Sequence, residues 1–459
     1  MTKDMTNGSP LKLIIAFCLP LVFGNFFQQF YNMVDTIIVG KFVGVNALAG
    51  VGSTGSIQFM VLGFAIGVCS GFSINIAQSF GAGDTKLMRK YIANSAYLSV
   101  AVTLVLTAVT VTFTKPILRI MQTPDEIFND AYNYIIVIFI GIFATMFYNI
   151  LSGILRALGD SKTPLIFLIV SSVINVVLDL IFILKFNMGV KGAGIATVLA
   201  QAISGFLCLL YMKRKFEVLH FEKDELTLDG RCCKRLLAIG LPMALQFSIT
   251  AIGSIILQTA VNSLGAGVIA AVTAAGKIQL MVTQPMETLG ITMATYCGQN
   301  LGAKKFERIK KGIRQSSILS VCYCILACMF VSFLGQYIAL WFLDSKETQI
   351  ISDTVYFLRM NAIFYPVLGI LFIFRNSLQG MGYSFLPMMA GVSELAARAL
   401  VSFGFVSVFG FNAVCLANPV AWIFADALLL TTYFIKMKQL KVQLEQHEVT
   451  EPDENVVRA

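Results

Sequence analysis

Four polar side chains interrupt an apolar run near the start of the chain. The stretch 24–40, GNFFQQFYNMVDTIIVG, contains Asn25, Gln28, Asn32 and Asp35. Their spacing of three, four and three residues places them on one face of a helix. A carboxylate in an apolar helix is costly unless it faces a cavity or a partner, so the pattern predicts a functional surface that ends at Asp35.

Further polar residues are predicted to lie at the same depth as Asp35. Asp35, Asp179 and Thr197 are each six residues from a lysine at the end of an apolar segment. With a rise of 1.5 Å per residue, all three lie roughly 9 Å below one boundary. Asn175 is one helical turn from Asp179 and shares its face. The four residues are therefore expected to form one polar layer.

This layer offers two carboxylates, an amide and a hydroxyl. Such oxygen atoms suit a small hard cation such as Na⁺. Two carboxylates held close together in a medium of low dielectric can equally share one proton. A simpler alternative is that both carboxylates lie near enough to the membrane interface to reach water. The residues alone leave proton, sodium and hydration open.

The second half of the chain lacks this layer, because a leucine, an arginine and a serine hold the corresponding positions. Glu394 and Arg398 are four residues apart, which predicts a structural ion pair within one helix. Lys277 and Glu287 are candidates for lining a cavity. Three further charged residues fall within apolar segments without an assigned role: Arg359, Arg375 and Asp426.

The composition is that of an integral membrane protein. Of 459 residues, 57% are hydrophobic and only 13% are charged, and the mean hydropathy is +0.78. The apolar segments do not alternate as barrel strands do, so an all-α protein is expected. Because about 20 apolar residues cross a bilayer, twelve transmembrane helices are predicted, at 11–40, 46–79, 90–114, 130–158, 163–185, 190–212, 233–263, 267–300, 311–341, 350–380, 385–410 and 412–437.

The distribution of charge predicts the orientation. A net charge of +9 would suggest nucleic-acid binding in a soluble domain, but here the basic residues collect in the loops on the side of both termini. The positive-inside rule therefore predicts cytoplasmic termini. The expected location is a bacterial-type plasma (inner) membrane. No nucleic-acid partner is expected.

Internal repeats divide the chain into two halves. Residues 20–48 align with 242–270, QSFGA at 78–82 with QNLGA at 299–303, and LRALGDSKTP at 155–164 with LQGMGYSFLP at 378–387, at offsets of 221 to 223. Two parallel six-helix repeats follow, which place substrate between the halves. The predicted divisions are an N-terminal lobe at 1–212, a cytoplasmic linker at 213–232, a C-terminal lobe at 233–438 and a cytoplasmic tail at 439–459.

Several motifs keep a characteristic order on these repeats. They are Pro20 followed by Asp35, Gly40 and Gly44, AQSFGAGD at 77–84, LRALGDSKTP, NVVLD at 175–179, GAGIATVLAQ at 192–201 and GQNLGA at 298–303. Together they make residues 10–440 resemble the multidrug and toxic compound extrusion (MATE) family, in particular its DinF-like branch. The resemblance implies the MATE-type fold.

The resemblance also implies a function. MATE transporters are V-shaped, and they export organic cations in exchange for protons or sodium ions. In the branch with its cation site in the N-terminal lobe, the places of the site residues are held here by Asp35, Asn175, Asp179 and Thr197. Helix 1 of that branch bends near its proline, so Pro20 is a candidate hinge, and its missing hydrogen bond suits a kink.

The chain departs from the family pattern in one respect, and the resemblance also implies its binding partners. Other members carry acidic residues on helices 7 and 10, where this chain has none, so a cation site in the C-terminal lobe is not expected. The expected partners are small cationic amphipathic substrates and the lipid bilayer. No cofactor other than the coupling ion, H⁺ or Na⁺, is expected, and the protein is expected to act as a monomer.

Two other functions fit the sequence less well. A flippase for lipid-linked saccharides has the same general fold, but the chain shows no thirteenth or fourteenth span. An intramembrane enzyme is disfavoured because both histidines lie in polar segments and no H-E-x-x-H, G-x-S-x-G or D-D-x-x-D motif occurs. There is no Walker A loop, since Gly276 and Lys277 are followed by Ile278. Energy must then come from an ion gradient.

Overall fold

The structure is a computed structural model that describes residues 4–341 and 343–450. The described residues form sixteen α-helices, with short 3₁₀ and π turns and no β-strand. The first half comprises α1 (Pro10–Phe42), α2 (Val45–Ser53), α3 (Gly55–Gly81), α4 (Thr85–Ile120), α5 (Asp125–Ile140), α6 (Ile142–Ala157), α7 (Lys162–Leu180) and α8 (Gly189–Lys215).

The second half repeats this succession. Its helices are α9 (Gly230–Asn262), α10 (Ala266–Gly302), α11 (Phe306–Ala339), α12 (Thr348–Ile363), α13 (Tyr365–Gly380), α14 (Phe385–Leu400), α15 (Val406–Phe409) and α16 (Phe411–Thr450). Helix α8 runs to Lys215 and α9 begins at Gly230, so the segment between the two helices is 216–229. Helix α16 continues past residue 438, and residues 451–459 of the predicted tail lie outside the described residues. The lobe boundaries themselves stay a prediction.

The helices are long and apolar enough to cross a membrane. Ten helices of the described chain meet this requirement when α7 and α14 are each continued through their π turns. Two further pairs, α5 with α6 and α12 with α13, meet it together but bend by 46° and 52°. Twelve spans result when each bent pair counts as one, so the predicted all-α membrane class is confirmed.

Local irregularities recur at equivalent places in the two halves. Both bent pairs form the fourth span of their half, and α7 and α14 each end in a π-helical turn, at Ile181–Lys185 and Val401–Phe405. Left-handed glycines also recur in pairs at the helix junctions: Gly44 with Gly265, Gly159 with Gly382, and Gly189 with Gly410. The two halves therefore share their backbone design and not only their sequence motifs.

The halves meet most closely where α3 crosses α10. A Cβ atom at Gly81 would lie 2.0 Å from the carbonyl oxygen of Gln299, and one at Gly302 would lie 1.9 Å from that of Gln78. Both distances are too short for any side chain, so the two backbones can touch here only through glycine. The reciprocal pattern places the pseudo-symmetry axis between these residues.

Hydrogen bonds reinforce the same contact. Gln78 donates through Nε2 to the carbonyl oxygen of Gly380 at 2.9 Å, and Gln299 donates through Nε2 to that of Ala157 at 2.8 Å. The backbone N–H of Met5 donates to Gln299 Oε1 at 2.9 Å. The halves are thus joined at the end of the bundle that holds the N-terminal segment. Towards its opposite end, α10 has more exposed side chains.

This contact makes a prediction about packing. Gly302→Ala should push α10 away from α3 and lower the stability by about 1–3 kcal/mol, as overpacking does. Gly276→Ala is the matched control, because a Cβ atom at Gly276 on the same helix has nothing within 4 Å. The thermal unfolding midpoints of the two variants in detergent check this, and equal midpoints would contradict the predicted contact.

Candidate coupling site

The structure brings Asp35 and Asp179 together. Helix α1 packs along α7, and the two carboxyl groups lie within hydrogen-bonding reach of each other. The residues are 9% and 0% exposed. Because like charges repel strongly away from water, two ionised carboxylates cannot remain so close without a bound proton or cation.

Asn175 and Thr197 complete the group. Asn175 donates through Nδ2 to Thr197 Oγ1 at 3.4 Å, and the Thr197 hydroxyl donates to the carbonyl oxygen of Ala193 at 3.1 Å. Helix α7 contributes Asn175 and Asp179, while α8 contributes Thr197. All four residues of the predicted layer therefore lie in one cluster, although their role in coupling stays a prediction.

The cluster has more acceptors than donors. Asp35 Oδ1, both carboxyl oxygens of Asp179 and Asn175 Oδ1 are buried without a hydrogen-bond donor from the described part of the chain. Buried polar atoms are normally satisfied. A proton between the carboxyl groups supplies one donor, and a small cation would use the same oxygens as ligands. No group of three or more His, Cys, Asp or Glu side chains suited to a metal occurs among the described residues.

Two tyrosines beside the carboxyl groups escaped the sequence analysis. Tyr31 lies near both Asp35 and Asp179, and its hydroxyl contacts the side chain of Gln201. Tyr134 on α5 is buried and lies near Asp35. Tyr31 could have been found, because it precedes Asp35 by one helical turn. Nothing in the local sequence connects Tyr134 to α1.

The four polar residues on one face of α1, Asn25, Gln28, Asn32 and Asp35, lie in different surroundings. Asn25 donates through Nδ2 to Thr288 Oγ1 on α10 at 2.9 Å, so it bridges the two halves. Gln28 is half-buried, Asn32 is exposed and Asp35 is buried. The four residues therefore do not form one continuous buried lining. Helix α1 joins the carboxyl cluster to the interface between the halves.

The proposed hinge lies within an unbroken helix. Helix α1 continues through Pro20 from Pro10 to Phe42. Pro20 precedes Asn25 by five residues, so it lies on the stretch of α1 beside the interface. A bend at Pro20 in another state stays a prediction.

The charged residues of the second half occupy different places. Glu394 and Arg398 form an ion pair, with 3.3 Å between Glu394 Oε2 and Arg398 Nη2, and Arg375 also binds Glu394. Glu287 is half-buried, and Lys277 is exposed. Lys277 lines a small cavity with Ala270, Thr273, Ala274 and Leu343.

Comparison with known proteins places this architecture in a family. The MatE family model matches the chain twice, over residues 20–181 and 242–404. These matches cover one region of each half and correspond to the internal repeat. The chain therefore belongs to the MatE family, the multidrug efflux (MATE) transporters.

Relatives and solved structures agree with this assignment. The chain is 28% identical to "Probable multidrug resistance protein YpnP" of Bacillus subtilis, over 83% of this chain and 84% of that protein. It is 26% identical to "Probable multidrug resistance protein NorM" of Thermotoga maritima, over 87% and 86% of the two chains. The fold is similar to a structure described as the "Outward-facing conformation of a multidrug resistance MATE family transporter of the MOP superfamily", with a TM-score of 0.88, 22% identity and 95% and 98% of the two chains covered.

The facing carboxyl groups predict an unusual pH dependence of stability. If Asp35 and Asp179 share a proton when folded, the folded state holds more protons than the unfolded state near neutral pH. Stability should then fall as the pH rises from about 6 to about 9. Asp179→Asn should flatten this dependence, because the amide cannot lose a proton.

Thermal unfolding midpoints in detergent across this pH range provide the measurement. The exposed Glu126→Gln variant is the control and should keep the wild-type slope. A wild-type slope that persists in Asp179→Asn would show that the carboxyl pair holds no shared proton.

Proposed function

We propose that this protein is a secondary antiporter that exports cationic drugs in exchange for protons. The observation that carries the proposal is the apposition of Asp35 and Asp179, two buried carboxyl groups within hydrogen-bonding reach on neighbouring membrane-spanning helices. A proton held between the two carboxyl groups removes one negative charge and supplies one hydrogen-bond donor. Sodium is the second candidate ion, because Asn175 and Thr197 add neutral oxygen atoms to the same cluster.

Coupling requires two states with different affinities for proton and drug. A ligand shifts such an equilibrium only through its differential affinity for the two states. In our proposal the protonated pair favours one arrangement of the halves, and drug favours the other. Helix α1 is the mechanical connection, because it carries both Asp35 and the Asn25 side chain that bonds to Thr288 across the interface.

The orientation of the transport cycle follows from the basic loops. We place the termini in the cytoplasm of a bacterial-type plasma membrane, so the end of the bundle that α3 and α10 hold together would face the cytoplasm. The structure then represents a state closed towards the cytoplasm. Drug would be released outwards, and protons would reach Asp35 and Asp179 from outside.

The expected substrates are small amphipathic cations. The names of the relatives, multidrug resistance proteins, support drugs as substrates, and the cationic character is what the family resemblance implies. In our proposal the chain performs transport without catalysis and works as a monomer. No observation favours the flippase alternative, since the named relatives above are multidrug resistance proteins.

Transport in proteoliposomes tests the function. Ethidium uptake into inside-out proteoliposomes, without ATP, is compared under an imposed proton gradient and an imposed sodium gradient. The proton gradient should drive uptake. Asp35→Asn and Asp179→Asn should each reduce the uptake rate by at least about tenfold, because their amides cannot exchange a proton. Glu126→Gln is the matched control and should keep the wild-type rate.

Two results would contradict parts of this proposal. Uptake driven only by sodium would replace the proton as coupling ion and leave the site in place. Wild-type uptake by correctly folded Asp35→Asn protein would remove the carboxyl pair from the coupling mechanism.

A further inference from the structure

A second group of buried charges lies in the half that lacks the paired carboxyl groups. Five charged side chains converge from four membrane-spanning helices: Glu287 on α10, Arg375 on α13, Glu394 and Arg398 on α14, and Asp426 on α16. From the sequence, only Glu394 and Arg398 are predicted to pair, and nothing there connects Glu287, Arg375 or Asp426 to them. The structure makes that pair the centre of a larger cluster.

The two arginines hold Glu394 between them. Arg375 donates to Glu394 Oε1, and Arg398 donates through Nη2 to Glu394 Oε2 at 3.3 Å. Arg398 also donates through Nε to Asn418 Oδ1 at 3.1 Å, which ties α14 to α16. Both oxygens of Glu394 are therefore satisfied, and Glu394 has no need of a proton.

Asp426 is the unsatisfied acid of the cluster. It is 7% exposed and lies near Arg375 and Glu394. Its Oδ1 atom receives no hydrogen bond from the described residues. Glu287 lies near Arg375 and accepts a hydrogen bond from Gln284 Nε2 at 3.4 Å. Glu287 is half-buried, and it has a hydrogen-bond donor of the kind that Asp426 Oδ1 lacks.

The charges of this cluster do not balance. Three carboxylates face two guanidinium groups, which leaves one net negative charge when all are ionised. The nearest parts of α9 contribute no charge, since residues 236–262 contain no charged side chain. On α12, Arg359 donates instead to the carbonyl oxygen of Ser332, and Asp353 lies near Cys415, about three helical turns from Asp426 along α16. A buried net charge is costly in a medium of low dielectric, so one positive charge is required.

A proton meets this requirement better than a metal cation. Two guanidinium groups beside the carboxylates repel a metal ion and already occupy both oxygens of Glu394. A proton taken from water onto Asp426 needs no coordination shell, and it turns the carboxyl group into a hydrogen-bond donor.

We propose that Asp426 is a second proton-binding site of this protein, separate from Asp35 and Asp179. The geometry of the second half supports this site whether or not the first-half site couples transport. The two halves would then bind protons by different means: a facing carboxyl pair in one, and a single acid beside an Arg–Glu–Arg cluster in the other.

The protein contains a natural reporter of this site. Trp422 precedes Asp426 by four residues on α16, one helical turn away on the same face, and is 4% exposed. The chain has two tryptophans, and the other, Trp341, is 80% exposed. Trp341→Phe therefore leaves a single buried fluorophore beside Asp426.

The test is a pH titration of Trp422 emission in detergent, from about pH 5 to about pH 10. The Trp341→Phe protein should show one step. The step should disappear when Asp426→Asn is added, and it should remain with Asp35→Asn or with Glu287→Gln. Asp35→Asn disables the proposed coupling pair and leaves Asp426 intact. A step that remains in this variant therefore does not depend on the proposed transport function.

Arg375→Gln provides a second variant that does not alter Asp426 itself. Loss of the guanidinium removes an opposite charge that favours the carboxylate, so the step should move to higher pH by about one unit or more. The proposal is overturned by the absence of a step in Trp341→Phe protein, by its persistence in Asp426→Asn, or by an unchanged midpoint in Arg375→Gln. If Asp426→Asn fails to fold, the direction in which Arg375→Gln moves the midpoint of the emission step decides between the two outcomes.

Discussion

The carboxyl groups of Asp35 and Asp179 face each other away from water, and this apposition sets the electrostatic requirement for the whole first half. Neighbouring helices satisfy ordinary buried polar groups, yet the oxygens of Asp179 receive no donor from the described chain. In our proposal the pair takes up a proton or a cation from outside the protein. Because Asp35 lies on α1, the charge state of the pair acts on the same helix that bonds through Asn25 to the second half.

Helix α1 is bonded to the second half at the interface between the halves. The closest contact at this interface is between backbones, Gly81 against Gln299 and Gly302 against Gln78, and it depends on shape more than on charge. Such a contact forms fully or not at all, because a shift of one helix separates both pairs together. The repeat thus supplies a symmetric contact that can open as a unit. The buried charges that would bias it in our proposal differ between the halves.

The sequence predicted features that depend on composition and local spacing. The helices follow from the lengths of apolar segments, and the layer of Asp35, Asp179 and Thr197 follows from their equal spacing from lysines at the ends of those segments. Spacing could not predict contacts between distant helices. Arg375 and Glu394 lie 19 residues apart on different helices, and Asn25 pairs with a threonine 263 residues away. Helical periodicity placed Asn25 and Asp35 on one face, but packing by different neighbours gave them separate surroundings.

Proton release on drug binding is the most direct test of the central claim, that drug and proton compete through the carboxyl pair. Ethidium is added to the purified protein in weakly buffered detergent solution at about pH 7, with a pH-sensitive dye as reporter. The wild-type protein should release protons as ethidium binds, while Asp35→Asn protein that still binds ethidium should release none. Equal proton release by the two proteins would contradict the claim.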